Sequence, residues 1–352
     1  MADDQPTLLV PGTQATSLKD QDGKTVYNAV RVQVNIGRGD VGDRDPEEVG
    51  KLLAMEHTAG RLKPTRTSLE DGTFVVKGEV LRTPYDGLPV SIWWRYDWCV
   101  DLRYNARKLL ETLRDESHNG VRWSLIGHSQ GGLVIVLASK LAESPREFAS
   151  MVGRVVLVGV PLAGTVRALE AILFGRADLG DERIPSLLAA ARTWPAIYQM
   201  LPAWASGLDR DGKPKAIEEQ FIFPAGWGNL VNGDDPIQED LLQRARETQA
   251  LLTGPFSHLG SVDTLTIFGK RQNTPISVPT ERGRYVQKYK NQKGDSLVPE
   301  KITMRHIGDP VHDRRKVFTG KVNAHAMLCV DPDVQSLIDN FFEQDLLPLP
   351  TI

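Results

Sequence analysis

The chain has 352 residues, a formal net charge of −3, and 41% hydrophobic against 25% charged residues. That length permits one or two domains with a sizeable core, and the composition excludes a disordered or fibrous chain. Acidic and basic residues are interleaved, so charge gives no reason to expect nucleic acid or an anionic membrane as a partner.

The first residues, Met1-Ala2-Asp3-Asp4-Gln5-Pro6, are acidic. They contain no basic-then-apolar leader, and no apolar run approaches the ~20 residues of a membrane span. A soluble, cytoplasmic protein is the expectation, with Cys99 and Cys329 as free thiols in a reducing compartment.

In chain order, Thr7-Leu8-Leu9-Val10 reads as a buried strand stopped by Pro11-Gly12, and Val90-Ser91-Ile92-Trp93-Trp94 as a second strand. Asp101 is placed to cap a helix whose apolar positions are Leu102, Ala106, Leu109, Leu110 and Leu113. Trp123-Ser124-Leu125-Ile126 is a third strand, followed directly by the apolar helical run Leu133-Val134-Ile135-Val136-Leu137-Ala138. A fourth strand is predicted over 154–159.

Residues 165–256 then break the rhythm with prolines, glycines, Trp194, Trp204 and Trp227. The strand pattern resumes over 264–269. Lys316-Val317-Phe318 is strand-like, although Arg314-Arg315-Lys316 reads as a solvated loop. Asp331-Pro332 opens a last helix with Val334, Leu337, Ile338 and Phe341 on one face. Strands alternating with helices predict an α/β fold with a mainly parallel sheet. Its core is expected at 1–164 and 257–352, with 165–256 as a largely helical cap on the sheet's carboxyl edge.

Gly127-His128-Ser129-Gln130-Gly131 lies between the third strand and its helix. That setting turns a chance-prone Gly-x-Ser-x-Gly pentapeptide into a nucleophile elbow, with Ser129 as the nucleophile and the Gln130 N–H at an oxyanion. A serine hydroxyl needs a base and the base an orienting carboxylate, in the chain order Ser, acid, His. His325 sits just before the last helix and is the candidate base, while His306 and His312 lie in a charged stretch that reads as exposed. Asp295 in Gly294-Asp295-Ser296-Leu297-Val298-Pro299 is the candidate acid, because a carboxylate in such a turn can be fixed by main-chain N–H groups. Asp309 and Asp313 are its competitors. The turn at Leu9-Val10-Pro11-Gly12-Thr13 offers the N–H of Thr13 as a second oxyanion donor. His128 fills the motif's variable position and is expected to point elsewhere. No metal-ligand spacing or phosphate-binding loop is present, so no cofactor is implied.

Together these segments resemble the lecithin:cholesterol acyltransferase-like branch of the α/β-hydrolases. The likeness also rests on Tyr96-Asp97-Trp98, Val160-Pro161-Leu162-Ala163-Gly164, Trp194-Pro195 and Tyr198-Gln199-Met200-Leu201-Pro202. It implies lipid acyl esters as substrates, water or an alcohol as acceptor, transient lipid contact through the cap, and Ser129, Asp295 and His325 as the triad. Cys99 stands where that branch usually has arginine. A carboxylic ester hydrolase is thus the expected activity, with an acyltransferase or a catalytically silent binding module as the competing readings.

Overall fold

The structure, a computed structural model, describes residues 5–27, 63–65, 73–82, 85–174, 190–202, 221–227, 237–253, 259–285, 291–307, 313–318 and 324–343, except positions 14, 20, 21, 24, 77–78, 86, 119, 225–226, 277–279 and 282–283. At its centre is a six-stranded sheet. The strands are β1 (Thr7–Val10), β2 (Ile92–Trp93), β3 (Trp123–His128), β4 (Val152–Val158), β5 (Asp263–Gly269) and β6 (Asp313–Phe318). They run in the order β6-β5-β4-β3-β1-β2, and every pair is parallel. β1, β3, β4 and β5 are buried at every position, as the continuous apolar runs of a sheet covered on both faces require.

The second strand is shorter than the apolar run suggests. Only Ile92–Trp93 qualifies, although Ser91 and Trp94 donate main-chain bonds to Thr7 and Leu9 on either side of it. Ile92 is 48% exposed, as befits the outer strand. At the other edge Arg314-Arg315-Lys316 is not a loop but part of β6.

The helices are α1 (Leu102–His118), α2 (Gln130–Leu141), α3 (Pro145–Met151), α4 (Val166–Phe174), α5 (Pro195–Gln199), α6 (Glu239–Leu252), α7 (Glu300–Ile307) and α8 (Pro332–Phe342). α2 is buried from Gln130 through Ser139 and packs on β3, β1, α1 and α6; a helix apolar on all sides belongs inside. Asp101 accepts the Arg103 N–H at the start of α1, and Asp331 accepts the Asp333 N–H at the start of α8. Each thereby supplies a bond that a helix N-terminus cannot make for itself.

The described part of 165–256 is helical and shares one apolar core with the sheet. Trp194 meets Trp98 edge-on with centroids 5.4 Å apart, and Phe221 meets Trp227 at 5.3 Å. Gln199 ties the segment to the core: its Oε1 accepts the Leu102 N–H at 2.7 Å, and its Nε2 donates to Asp101 at 2.7 Å and Thr248 at 2.8 Å. Both Trp194 and Trp227 are buried, so these rings are packing groups; Trp204 lies outside the described residues.

Candidate active site

The site gathers at the carboxyl ends of β1, β3 and β4. Where β3 gives way to α2, Ser129 is held at φ 53 and ψ −126. A non-glycine residue in that region stores about 1–3 kcal/mol, which the surrounding packing must sustain. The packing is close. A methyl group at Gly127 would stand 2.6 Å from Cα of Gly132, and one at Gly131 would drive into the carbonyl oxygens of Val10 and Pro11. Glycines therefore flank the serine because helix, strand and the β1 turn approach too closely for a Cβ. The Ser129 N–H donates to the Val158 carbonyl at 2.9 Å, which fixes the elbow to the end of β4.

Gln130 contributes more than a main-chain N–H. Its Nε2 donates to the Trp98 carbonyl at 2.8 Å, while the Tyr96 hydroxyl lies 2.8 Å from the Pro11 carbonyl and 3.3 Å from Gln130 Oε1. The Tyr96-Asp97-Trp98 segment thus binds the turn after β1 to the elbow. At that turn the Gly12 N–H is already taken by the Tyr85 hydroxyl at 2.8 Å. The N–H groups of Thr13 and Gln130 make no hydrogen bond among the described residues.

Asp295 and His325 meet directly. Nδ1 of His325 lies 2.8 Å from Oδ2 of Asp295. The other carboxylate oxygen, Oδ1, accepts the N–H of Leu297 at 2.9 Å and of Val298 at 2.6 Å. Asp295 is 1% exposed, so a charged carboxylate there needs all three donors. The turn is braced from outside by Thr274, whose hydroxyl accepts the Ser296 N–H at 2.9 Å, and by Thr165, which donates to the Leu297 carbonyl at 2.9 Å. Ser296 takes φ 83, the second left-handed non-glycine residue among those described. The His325 N–H donates to the Asp295 carbonyl at 2.8 Å, so main chain and ring are both held by one residue. Its Nε2 is buried and makes no hydrogen bond among the described residues.

Gly159, at φ +58, connects the parts. It follows the residue that receives the Ser129 N–H, and a methyl group there would stand 3.1 Å from Oδ2 of Asp295 and 3.2 Å from Cε1 of His325. Among the alternatives, His306 falls within α7 rather than a loop, Asp313 begins β6, and Asp309 and His312 lie outside the described residues.

The His128 side chain enters a network that the sequence does not reveal. Its ring lies with its centroid 5.0 Å from that of His325 and 5.4 Å from that of Tyr85. Burial, reinforced by the neighbouring His325, holds its pKa down to about 3. Nearby, burial pushes the Asp97 carboxyl up to about 6, an effect only partly offset by the Cys99 main-chain N–H at 3.0 Å. Among the described residues no cluster of three or more His, Cys, Asp or Glu side chains could hold a metal, and no helix is long and apolar enough to cross a membrane.

No family model matches this sequence, and no curated protein matches it. Solved structures do resemble the fold. A chain of the Tle4–Tli4 complex superposes with a TM-score of 0.55 at 14% identity, covering 98% of this chain and 100% of that one. A lipase from Bacillus licheniformis, BlEst2 in its propeptide form, gives a TM-score of 0.40 at 11% identity, over 99% of this chain and 52% of that one. The lin2722 gene product of Listeria innocua gives a TM-score of 0.37 at 12% identity, over 97% of this chain and 95% of that one. The mainly parallel sheet, its strand order and the flanking helices are those of the α/β-hydrolase fold.

Proposed function

We propose that this chain is a serine hydrolase that cleaves carboxylic esters with lipid-like acyl groups, using Ser129 as nucleophile, His325 as base and Asp295 as the orienting acid. One observation carries the reading. A hydroxyl is held at a strained turn on a helix N-terminus, and Gly159, which follows the residue bonded by the Ser129 N–H, lies against a buried His–Asp pair whose Nε2 makes no hydrogen bond among the described residues, Ser129 included. A fold alone does not imply a function, and it is this constellation that supports one.

In the reaction Ser129 Oγ attacks the ester carbonyl and gives its proton to Nε2 of His325. The charge that develops on the imidazole is stabilised by the Asp295 carboxylate, which is held by the N–H groups of Leu297 and Val298. The oxyanion is met by the N–H groups of Thr13 and Gln130, near the positive end of α2. Collapse breaks the C–O bond to the leaving alcohol, which takes the proton from His325. Water then repeats the cycle on the acyl-enzyme. An alcohol in place of water would make the same intermediate an acyltransferase. The lipid-like substrate rests on the resemblance to the lecithin:cholesterol acyltransferase-like branch, and residues 165–256 are assigned as the cap that would receive the acyl chain.

The test is hydrolysis of a p-nitrophenyl ester series from acetate to palmitate, with Ser129→Ala alongside. The reading requires turnover that rises with chain length and is lost in the variant. Phospholipid offered with and without an alcohol acceptor separates hydrolysis from transfer. Wild-type turnover no greater than that of Ser129→Ala on every ester would leave a binding module as the better account.

A further inference from the structure

Two buried side chains that the mechanism above leaves unused meet between the oxyanion turn and the base. The Tyr85 hydroxyl accepts the Gly12 N–H at 2.8 Å and lies 2.9 Å from Nδ1 of His128. The opposite ring nitrogen, Nε2, lies 3.1 Å from the carbonyl oxygen of His325. A carbonyl only accepts, so Nε2 carries the proton; Nδ1 then accepts from Tyr85. Donors and acceptors run in one sense from Gly12 N–H through Tyr85 and His128 to the His325 carbonyl. His128 thus sits at the centre of a satisfied buried chain that spans the site.

We propose that Tyr85 and His128 are positioning residues: with His128 fixed as its Nε2–H tautomer, they lock the oxyanion turn and the main chain of His325 into register with Ser129. This rests on the hydrolase reading above. The geometry makes the coupling specific. His325 opens a short 3-10 helix, His325–Val330, and its N–H, carbonyl and Nδ1 are taken by Asp295, His128 and Asp295 in turn. The contact from His128 adds a hold on the carbonyl, on the side of the residue away from Asp295's own two bonds. At the far end, a methyl group on Gly12 would stand 3.2 Å from Cβ of Ser129 and 3.1 Å from Nδ1 of His128, so the turn, the nucleophile and the relay are in contact. A second consequence is electrostatic. When His325 takes the serine proton it becomes charged with the His128 ring only 5.0 Å away. A protonated neighbour would oppose that step, and the buried, neutral His128 does not.

Tyr85→Phe removes the hydroxyl and keeps the ring, which packs edge-on against Trp93 with centroids 5.1 Å apart. The expected result on p-nitrophenyl butyrate is a kcat lower by roughly 10–100-fold with KM altered by less than about threefold, because geometry rather than binding is lost. His128→Gln, whose amide can still donate and accept, should retain more activity than His128→Leu. Histidine 15N NMR of the wild-type protein should show one imidazole in the Nε2–H form that does not titrate from about pH 5 to 9. Wild-type kcat in Tyr85→Phe would overturn this role while leaving the hydrolase reading intact. So would an Nδ1–H or titrating His128, a result that stands even where a variant fails to fold. A wild-type protein without esterase activity would instead overturn the hydrolase reading, and this role with it.

Discussion

Replacing Asp295 by asparagine perturbs the site at one atom. In the wild type Oδ1 holds the Leu297 and Val298 N–H groups at 2.9 and 2.6 Å, and Oδ2 faces Nδ1 of His325 at 2.8 Å. Asparagine has one acceptor oxygen. If that oxygen stays on the two main-chain donors, the amide NH₂ faces Nδ1. Nδ1 must then accept, which moves the imidazole proton to Nε2, the nitrogen that should receive the serine proton. The wrong tautomer and the lost carboxylate charge together lower kcat by about 10³–10⁴, or on the order of 4–5.5 kcal/mol in the barrier. Stability should change little, by about 1–2 kcal/mol, since the turn keeps both main-chain bonds and the braces from Thr165 and Thr274. The assay is steady-state hydrolysis of p-nitrophenyl butyrate beside a thermal melt. A variant that melts near the wild type yet retains more than about a tenth of its kcat would refute the role given to Asp295.

Other outcomes follow from individual contacts. Gly159→Ala places a methyl group 3.1 Å from Oδ2 of Asp295 and 3.2 Å from Cε1 of His325 at φ +58. It should lower kcat by roughly tenfold or more and stability by about 1–2 kcal/mol, as read by turnover and a melting curve. Gly131→Ala meets main-chain oxygens on both Val10 and Pro11 and should prevent folding, whereas Gly120→Ala, with open space around it, should lose only about 1 kcal/mol. Circular dichroism of the purified pair decides this. For Asp97 the folded carboxyl, at about 6, lies above its ordinary 3.8, so the fold holds that proton more tightly than the unfolded chain does. The contribution is fully present below about pH 4 and is lost as pH rises through 6, on the order of 3 kcal/mol in all. Urea unfolding at pH 4 and 7.5 should show this loss in the wild type but not in Asp97→Asn; parallel pH slopes would contradict it.

Much of this was legible because the signals are local. Continuous apolar runs marked β1, β3, β4 and β5, Asp101 and Asp331 announced their helices, and the glycines around Ser129 stood where strand and helix must nearly touch. The Asp295 turn was readable since its N–H donors lie two and three residues ahead. What escaped depends on contacts distant in sequence. Tyr85 and His128 are 43 residues apart, and His128 and His325 are 197 apart. No periodicity encodes such pairs, although a histidine inside the elbow motif is a signal that a ring is buried there. Nothing nearby in sequence predicts that the Gln130 side chain reaches the Trp98 carbonyl, 32 residues away. The charge of Arg314-Arg315-Lys316 suggests a solvated loop, whereas its main chain pairs in parallel with β5, a contact that nothing local in the sequence encodes.

The central claim is that Ser129 is an activated nucleophile. Incubating the protein with a fluorophosphonate and mapping the adduct by peptide mass spectrometry tests it without choosing a substrate. The expected result is a single stoichiometric adduct on Ser129, absent from Ser129→Ala and formed far more slowly in His325→Ala. A folded wild-type protein that takes up no label, or takes it up on another serine, would contradict the account.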